Sequence, residues 1–339
     1  MVIPTTFDAL RTTMDLAYTW DYEPQVRTLR DLYTKAKGAQ WDGAKQLPWE
    51  TDVDPEGPRF PDMIVPIYGS DLWEKLTDRE QRALKTEMTS WMLSQFLHGE
   101  QGALLATSQI VTVVPAMDAK LYAATQVMDE ARHVEVYERY LREKMNLTYP
   151  VTPSLKQLLD VILTDGRWDM KYLGMQIMVE GLALAAFGIM REMTDEPLIR
   201  ELTASVIRDE ARHVAFGVLS LKDVYHDMPR NELRDREDFV IEASRLMRDR
   251  FLAPEVWAKA GLPVEECCRY ALDCPLMIQF RCMLFSKIVP NLKRLGLLTD
   301  RVRPALQELG VLEFEHVDPD AELTALENMP AAAYADAAE

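Results

Sequence analysis

The sequence predicts an all-α protein with a helical bundle at its centre, and three observations support this prediction. Only 14 glycines occur in 339 residues, so long stretches run without interruption. Within these stretches the apolar side chains recur with helical rather than alternating periodicity. The third observation is an internal repeat, because the hexapeptide DEARHV occurs at 129–134 and again at 209–214. The repeat indicates two related helical hairpins.

The predicted elements follow the order of the chain. Residues 1–38 are expected to form a helical arm, and 39–70 an ordered irregular segment, because Pro, Gly and Asp are frequent there. Four long helices are predicted at about 78–113, 118–145, 166–193 and 196–226. Their breaks or starts are marked by Pro115, Pro150, Pro153 and Pro197.

The remaining chain is predicted to add helices around this core. Further helices are expected over about 231–310, and residues 1–317 are expected to form one domain around a core bundle at about 78–226. The tail, 318–339, is acidic and rich in alanine, with little apolar surface to bury. We therefore expect the tail to be flexible or to dock on a partner.

The composition excludes several classes of partner. The formal net charge is −17, whereas nucleic acids and anionic membranes require a concentrated basic surface. We find no apolar run of the ~18 residues needed to cross a bilayer, and the N-terminus lacks the pattern of a signal peptide. The four cysteines lack metal-site spacing and are expected to be reduced packing residues. We expect a cytoplasmic protein without nucleic-acid or membrane partners.

The repeated hexapeptide belongs to a larger repeated pattern of ionisable residues. A glutamate precedes the glutamate of each copy by 30 residues, and every member of the pattern recurs 80 residues later. The two sets are Glu100, Glu130 and His133, and Glu180, Glu210 and His213. Four carboxylates and two imidazoles with this spacing are typical of a two-metal site inside a helical bundle.

Helix geometry predicts that these carboxylates meet. With a rise of about 1.5 Å per residue, the helix that descends from Glu100 to Val113 is matched in length by the return from Asp118 to Glu130. Both glutamates therefore lie at the same level of an antiparallel hairpin, and the second copy behaves in the same way. Within each ExxH the two side chains are three positions apart, so both can face one internal site.

Charge supports the same interpretation. Glu180 lies in a helix that is apolar on nearly every side, and a buried carboxylate requires a compensating charge. Two divalent ions would balance four glutamates, and mixed carboxylate and imidazole ligation without thiolate suits iron or manganese. A lone ExxH is more often a solvated helix face, but the doubled pattern favours metal binding.

These residues resemble the ligand set of the ferritin-like di-iron carboxylate superfamily, over about residues 80–226. The DEARH form most resembles the ribonucleotide reductase small subunit, its ligand-binding oxidase relatives and the bacterial multicomponent monooxygenases. The early segment QWDGAKQLPW is similar to the tryptophan-containing arm of the reductase group. The resemblance implies a ferritin-like four-helix bundle with two iron ions per chain, or a Mn/Fe pair, and O2 as co-substrate.

The resemblance also implies roles for the neighbours of the ligands. Asp129 would hold His213 and Asp209 would hold His133, fixing each imidazole tautomer, although solvation of the helix surface is the alternative. Arg132 and Arg212 would serve as charge partners for acidic neighbours.

Departures from the known subfamilies restrict the chemistry. The reductase places its radical tyrosine where this chain has Tyr137, although a packing aromatic is the commoner role for such a residue. The monooxygenases place a threonine where this chain has Leu184. The oxidase relatives build a Val–Tyr crosslink from positions that here are Gly102 and Met175. Amine N-oxygenases add a third histidine one turn before the last glutamate, where this chain has Val206.

Apolar residues on the faces of the upstream glutamates predict a substrate pocket. The candidate pocket residues are Phe96, Ala103, Leu104, Thr107, Gln176, Ala183, Leu184 and Phe187. The same stripe would equally be the packed core of a bundle without a pocket. Small residues beside the ligands, Gly99, Gly102 and Gly181, favour open space near the metals.

Three functions remain open from the sequence. The leading hypothesis is an O2-activating di-iron oxygenase or oxidase, of the monooxygenase type, acting on a largely hydrophobic small organic substrate. Because no flavin or nicotinamide fingerprint occurs, an external ferredoxin or reductase must supply electrons. The alternative is a radical-generating subunit like that of ribonucleotide reductase, with Tyr137 storing the radical and Tyr334 relaying it. The third is iron storage or peroxide detoxification. We expect a homodimer.

Overall fold

The computed structural model describes residues 7–54 and 60–328, and every regular element within these ranges is helical. The helices of the first half are α1 (Arg27–Gly38), α2 (Gly43–Gln46), α3 (Asp71–Glu74), α4 (Asp78–Val113), α5 (Met117–Tyr140), α6 (Pro153–Thr164), α7 (Trp168–Tyr172), α8 (Glu180–Met193) and α9 (Pro197–Leu221). Those that follow are α10 (Arg230–Asp249), α11 (Pro254–Lys259), α12 (Val264–Asp273), α13 (Pro275–Leu284), α14 (Val289–Arg294), α15 (Val302–Glu308) and α16 (Pro319–Glu327). The prediction of an all-α bundle is confirmed.

The first helical hairpin, α4 and α5, presents Glu100 and Glu130. A capping box starts α4: the side chain of Thr77 accepts from the amide of Glu80, whose carboxylate accepts from the amide of Thr77. The chain turns at Pro115, which cannot continue the helical hydrogen bonds, and α5 returns against α4. The turn between α4 and α5 therefore lies where the sequence predicts it.

The second hairpin presents Glu180 and Glu210 and contains an irregularity that the sequence did not predict. Between α7 and α8 the helix continues as a wide π-helical segment, Leu173–Val179, which ends directly before Glu180. Such segments are common at functional sites because the wider turn changes the direction of the side chains that follow. The α9 helix packs against this segment closely at Gly217, where a Cβ atom would lie 2.5 Å from Gln176.

The continuous helical run from α7 to α8 corrects one expectation about apolar stretches. Trp168–Met193 is long and apolar enough to cross a membrane by length and composition, with a mean hydropathy of 1.7 in its most apolar window. In the structure 83% of that window is buried inside the protein. The run is therefore accounted for by its place at the centre of the bundle, where all sides of the helix meet other helices.

The N-terminal arm is not the helix that we predicted. Residues 7–26 have no regular secondary structure, and only α1 is helical in this region. The segment lies along α4 and the end of α6 instead, because the amide of Ala17 donates to the carbonyl of Thr112 and the hydroxyl of Thr12 donates to the carbonyl of Thr164. At its end, the carboxylate of Asp118 accepts from the amides of Gln25 and Val26. These contacts replace the hydrogen bonds that a helix would have supplied.

The C-terminal tail also differs from the prediction in its described part. Residues Pro319–Glu327 form α16, which packs against α9, and the side chain of Leu323 is buried. Leucines of the tail thus join the apolar core, although the segment is acidic overall. Residues 329–339, including Tyr334, lie outside the described residues.

Candidate metal centre

The structure brings the six repeated glutamates and histidines into one buried cluster. Their side chains are between 0% and 5% exposed, and they form two groups whose ligand atoms lie within 4.8 Å of one another. One group consists of Glu100, Glu130, His133 and Glu210, and the other of Glu130, Glu180 and His213. Glu130 belongs to both groups. Glu210 also faces both, because its Oε1 lies 3.2 Å from Nδ1 of His133 and 3.5 Å from Nδ1 of His213.

Both imidazoles are held in the same orientation by an aspartate of the opposite hairpin. Nε2 of His133 lies 3.1 Å from Oδ2 of Asp209, and Nε2 of His213 lies 3.3 Å from Oδ2 of Asp129. Since the aspartate accepts the Nε2 proton, Nδ1 of a neutral ring carries no proton, and its lone pair points into the glutamate cluster. The pairing across the bundle is the arrangement that the family resemblance implied.

Two arginines balance the negative charges of these aspartates. Arg132 pairs with Asp129 and, at 3.1 Å, with Asp209, while Arg212 pairs with Asp209 and lies 3.9 Å from Asp129. All four groups are almost completely buried. The alternating charges lower the pKa of Asp209, because the neighbouring His133 and the two guanidinium groups outweigh the effect of burial. Asp209 is thereby kept as an anion that can accept the proton of His133.

Two polar neighbours of the cluster were not predicted from the sequence. The amide Nε2 of Gln126, one turn before Glu130, donates to Glu130 at 3.0 Å and to Glu180 at 2.9 Å. The indole Nε1 of Trp41 donates to Oδ2 of Asp209 at 2.7 Å. The helical spacing of Gln126 could have identified the first residue. For the second, the only signal was the similarity of the QWDGAKQLPW segment to the reductase arm, which does not point to Asp209.

The donor set fits a pair of hard cations. Among the described residues, several buried atoms of the cluster have no hydrogen-bond partner: Glu130 Oε2, Glu180 Oε2, both carboxylate oxygens of Glu210, and His213 Nδ1. Unsatisfied buried carboxylate oxygens are costly, and divalent ions would satisfy them all. Carboxylates with imidazoles and no thiolate are the donors that iron and manganese accept.

Without metal the cluster retains protons. Burial raises the pKa of Glu100 to about 8, and burial together with the neighbouring glutamates raises that of Glu180 well above its ordinary value. Burial alone would lower the pKa of His133, but Glu100 and the hydrogen bond to Asp209 outweigh it and raise that pKa, and His213 behaves likewise. The neighbouring histidines lower the pKa of Glu130 against the effect of its burial. Metal ions must therefore displace protons.

We predict a pH-dependent stability of the metal-free protein. Groups with a raised pKa in the folded state stabilise it fully below their ordinary pKa, and this contribution is lost as the pH rises through the folded pKa. For Glu100 the window runs from its ordinary 4.5 to about 8. The melting temperature of the metal-free protein should fall between about pH 5 and pH 9, whereas that of the metal-loaded protein should fall less. If the melting temperatures of the two forms change with pH in the same way, this assignment is wrong.

Comparison with known families places this cluster in an enzyme class. Residues 23–296 match the family model described as P-aminobenzoate N-oxygenase AurF. The chain belongs to this family. It is therefore a non-heme di-iron oxidoreductase of the oxygenase or oxidase type. The predicted enzyme class is confirmed, and so is the resemblance to the di-iron carboxylate superfamily.

Solved structures share the fold of this AurF family member at low sequence identity. A tyrosine-to-phenylalanine variant of an R2-like ligand-binding oxidase with an aerobically reconstituted Mn/Fe cofactor matches with a TM-score of 0.53 at 16% identity. Another such variant, with an anaerobically reconstituted Mn/Fe cofactor, matches with a TM-score of 0.52 at 17% identity. Each match covers 80% of this chain and 94% of the other. No curated protein matches the sequence.

One position departs from the pattern of amine N-oxygenases. Where these enzymes place a third histidine, this family member has Val206, which is fully buried and has no ligand atom. Its counterpart in the 80-residue repeat is Gln126, whose amide bonds two carboxylates of the cluster. The AurF family member therefore has a polar group at this level on α5 and an apolar one on α9.

The predicted pocket residues divide into two sets. A small cavity of about 20 Å³ lies beside Glu100, Glu180 and Glu210. Four predicted residues line it: Phe96, Ala103, Ala183 and Phe187. The other four do not line it: Leu104, Thr107, Gln176 and Leu184. Periodicity could not separate these two sets, because wall residues and packing residues share the same apolar faces.

The glycines near the cluster mostly serve close packing. A Cβ atom at Gly102 would lie 2.5 Å from the side chain of Leu159, and one at Gly181 would lie 3.2 Å from Ile288. Only Gly99 lies beside open space, and it lines the small cavity. The prediction that all three glycines create space near the metals is therefore wrong for Gly102 and Gly181.

Tyr137 lies near the cluster, as its spacing from His133 requires. The ring is completely buried against Phe96 and Phe187, and its hydroxyl has no hydrogen-bond partner among the described residues. Burial and the nearby Glu100 carboxylate raise the pKa of this phenol well above its ordinary value. The side chain is thus a neutral phenol. Its role as a radical store stays a prediction.

Proposed function

We propose that this protein oxidises a largely hydrophobic organic substrate with O2, using two iron ions held by Glu100, Glu130, His133, Glu180, Glu210 and His213. The observation that carries this proposal is the position of the buried six-residue cluster at the wall of an apolar cavity. A Mn/Fe pair is the alternative cofactor, since the related ligand-binding oxidases are described with one. When bound, the metal pair supplies the electrons that activate O2.

The chain's own residues prepare this chemistry. Asp129 and Asp209 accept the Nε2 protons of the histidines and keep their Nδ1 atoms directed at the cluster. Gln126 restrains the carboxylates of Glu130 and Glu180 through its two donated hydrogen bonds. The rings of Phe96 and Phe187 pack edge to face at 4.8 Å and give the small cavity an apolar wall.

A second, larger cavity supports an apolar substrate. It has a volume of about 510 Å³, within the range of pockets that hold small organic molecules. Methionine and aromatic side chains dominate its wall, including Met88, Trp91, Met190 and Phe280. Phe96 lines both this cavity and the small one beside the cluster. Phe96 would therefore separate a substrate in the large cavity from the small cavity beside the cluster.

Electrons from an external ferredoxin or reductase would enter through Trp41. The hydrogen bonds from Trp41 to Asp209 and from Asp209 to His133 form a continuous connection from the partly exposed indole to the cluster. We predict that Trp41→Phe slows reduction of the loaded protein about tenfold or more at unchanged metal content. Stopped-flow reduction by dithionite would measure this.

A tryptophan of the same segment provides the matched control. The indole of Trp49 donates to the carbonyl of Gly43 and does not contact the cluster. Trp49→Phe should therefore leave the reduction rate unchanged. If the two variants are reduced at the same rate, Trp41 is not the entry point.

Oxygen exposure after anaerobic loading with Fe(II) tests the proposed function. We expect two Fe(II) per chain, consumption of O2 and a change in absorption. EPR of the same samples distinguishes the alternative role, since a tyrosyl signal that disappears in Tyr137→Phe would indicate a radical-generating subunit. Many irons per chain would indicate storage. A colourless protein that is inert to O2 would overturn the proposal.

The oligomeric state and the cellular location are further proposals. Apolar side chains of the N-terminal segment are exposed at alternate positions, at Leu16, Tyr18, Trp20 and Tyr22. A second copy of the chain would cover these side chains, so we propose that the protein is a homodimer. Light scattering on the intact protein would test this. The acidic net charge and free cysteines are compatible with the cytoplasm, where thiols stay reduced.

A further inference from the structure

Four aromatic side chains form a continuous row between the metal centre and the protein surface. The ring centre of Tyr122 lies 4.3 Å from that of Phe216, Phe216 lies 4.9 Å from Tyr172, and Tyr172 lies 6.0 Å from Trp168. These are distances of rings in direct contact. The first three side chains are completely buried, and Trp168 is partly exposed. We call these four residues the aromatic row.

The inner end of the aromatic row lies beside the cluster. Tyr122 is one turn before Gln126 on α5, and the amide of Gln126 bonds two carboxylates of the cluster. Phe216 follows the ligand His213 by three residues on α9. Burial raises the pKa of the Tyr122 phenol, and the charges of His213 and Glu180 act on the same group. Both rings at this end are therefore attached to helices that carry ligands.

The contact between Phe216 and Tyr172 depends on a close approach of two helices. Gly217 follows Phe216 on α9, and a Cβ atom at Gly217 would lie 2.5 Å from the side chain of Gln176. Gln176 belongs to the π-helical segment that continues α7, the helix of Tyr172. A larger residue at 217 would separate these helices and with them the two rings.

The aromatic row is not a product of the internal repeat. Leu202 stands 80 residues after Tyr122, and Val136 stands 80 residues before Phe216. Neither side chain has a ring. The row therefore exists in only one half of the bundle.

The rings on the other side of the cluster do not form a comparable path. Tyr137, Phe96 and Phe187 contact one another, and the two phenylalanines line the small cavity. Among the described residues, none of these three rings contacts a further aromatic ring. Only the aromatic row connects the surroundings of the cluster to the surface through rings in contact.

The chemistry of the four rings fits the transfer of electrons towards an oxidising centre. Phenol and indole rings give up one electron far more easily than the ring of Phe216, which serves as a bridge. The hydroxyl of Tyr122 has no hydrogen-bond partner among the described residues, so no neighbour accepts its proton. A radical therefore does not persist on Tyr122. It persists at Trp168, where solvent can accept the indole proton.

We propose that the aromatic row carries oxidising equivalents from the metal centre to Trp168 when no substrate is present. In each event Trp168 loses one electron, which passes inwards through the row and reduces the centre, and the indole N–H proton goes to solvent. A thiol then returns a hydrogen atom to the indole radical, and two such thiols end as one disulfide. The row thereby protects the ligands from oxidation. This inference rests on the O2 chemistry of the proposed function.

Mapping of oxidised tryptophans by mass spectrometry tests the inference. The Fe(II)-loaded protein is exposed to O2 with catalase present and without substrate or thiol, so that O2 traps the indole radical as stable oxygenated products. Trp20 is the internal control, because it is 76% exposed and lies in the N-terminal segment. We expect several-fold more oxidation at Trp168 than at Trp20, and suppression by added thiol. Oxidation that follows exposure, with Trp20 ahead of Trp168, would indicate a diffusing oxidant and overturn the inference.

Two tyrosine variants test the path. Tyr172→Phe keeps a ring at this position and removes the oxidisable phenol, so oxidation of Trp168 should fall to the level of Trp20. Tyr137→Phe removes a second buried phenol near the cluster that lies outside the row, and it should leave the oxidation of Trp168 unchanged. Unchanged oxidation in Tyr172→Phe, or its loss in Tyr137→Phe, would show that the electrons do not follow the aromatic row.

Two measurements on Trp168→Phe test the protective role. Over repeated cycles of Fe(II) loading and O2 exposure, this variant should lose its capacity to bind metal several-fold sooner than the wild type, whereas Trp20→Phe should not. Its reduction by dithionite should be as fast as that of the wild type. Equal loss of metal in the wild type and Trp168→Phe, or slow reduction, which would indicate an entry route for electrons, would overturn the inference.

O2 consumption by the same samples separates the two proposals. A protein that consumes O2 without preferential oxidation of Trp168 would overturn this inference alone. A protein that consumes no O2 would overturn the proposed function, and the inference with it.

Discussion

We expect the Glu130→Ala protein to lose both metal ions. The carboxylate of Glu130 belongs to both groups of ligand atoms, with one oxygen 3.5 Å from Nδ1 of His133 and the other 3.2 Å from Nδ1 of His213. Its removal would take a ligand from each ion. No carboxylate at this position would then hold the two positively charged ions together. Metal content after loading and desalting, measured by mass spectrometry, should fall from two per chain to near zero.

A variant of Glu180 should behave differently from Glu130→Ala. Glu180 belongs only to the group of His213, so Glu180→Ala should leave one tightly bound ion per chain, held on the His133 side. Glu135 lies on the same helix as Glu130 but is exposed, and Glu135→Ala should bind two ions like the wild type. Retention of two ions by Glu130→Ala would contradict the shared role of this carboxylate.

The second large effect is expected at Asp209. In Asp209→Asn the amide can still occupy the site but no longer provides an anion for the proton on Nε2 of His133, which lies 3.1 Å away. The substitution also removes the negative charge between Arg132 and Arg212. Loss of such an outer partner of a metal-bound histidine typically costs about 10–100-fold in affinity. We expect a loss of about that size for one of the two ions.

The repeat supplies the matched comparison for this variant. Asp129 holds His213 as Asp209 holds His133, so Asp129→Asn should weaken the other ion. Stepwise titration with Mn(II), followed by EPR, would resolve the two binding steps in each variant. If both substitutions weaken the same step, or neither weakens any, then the pairing across the bundle does not control the metals.

The spacing of the repeat was sufficient to predict the hairpins and the meeting of the six ionisable side chains. Helical rise alone places Glu100 level with Glu130, and the apolar surroundings of Glu180 indicate a buried charge. The bounds of α4 agree with the prediction because Thr77 and Pro115 are strong local signals at its two ends. Local patterns are informative wherever the structure depends on neighbours in the sequence.

The features that were missed depend on contacts between distant parts of the chain. Residues 7–26 are held without a helix because they bond to backbone groups of α4 and α6, which no local pattern records. Trp41 contacts Asp209 and Arg250 lines the small cavity, both from outside the repeat, and only the fold shows these positions. The predicted pocket included Gln176 and Leu184 because one sequence cannot separate the wall of a cavity from the packing behind it.

Location of the metals in a crystal of the loaded protein tests the central claim most directly. Anomalous scattering above and below the iron edge would identify and place each ion. We predict two ions per chain, about 3.5–4 Å apart as in other two-metal sites, with Glu130 and Glu210 between them and His133 and His213 on opposite sides. A single ion, or ions bound away from these six residues, would contradict this prediction.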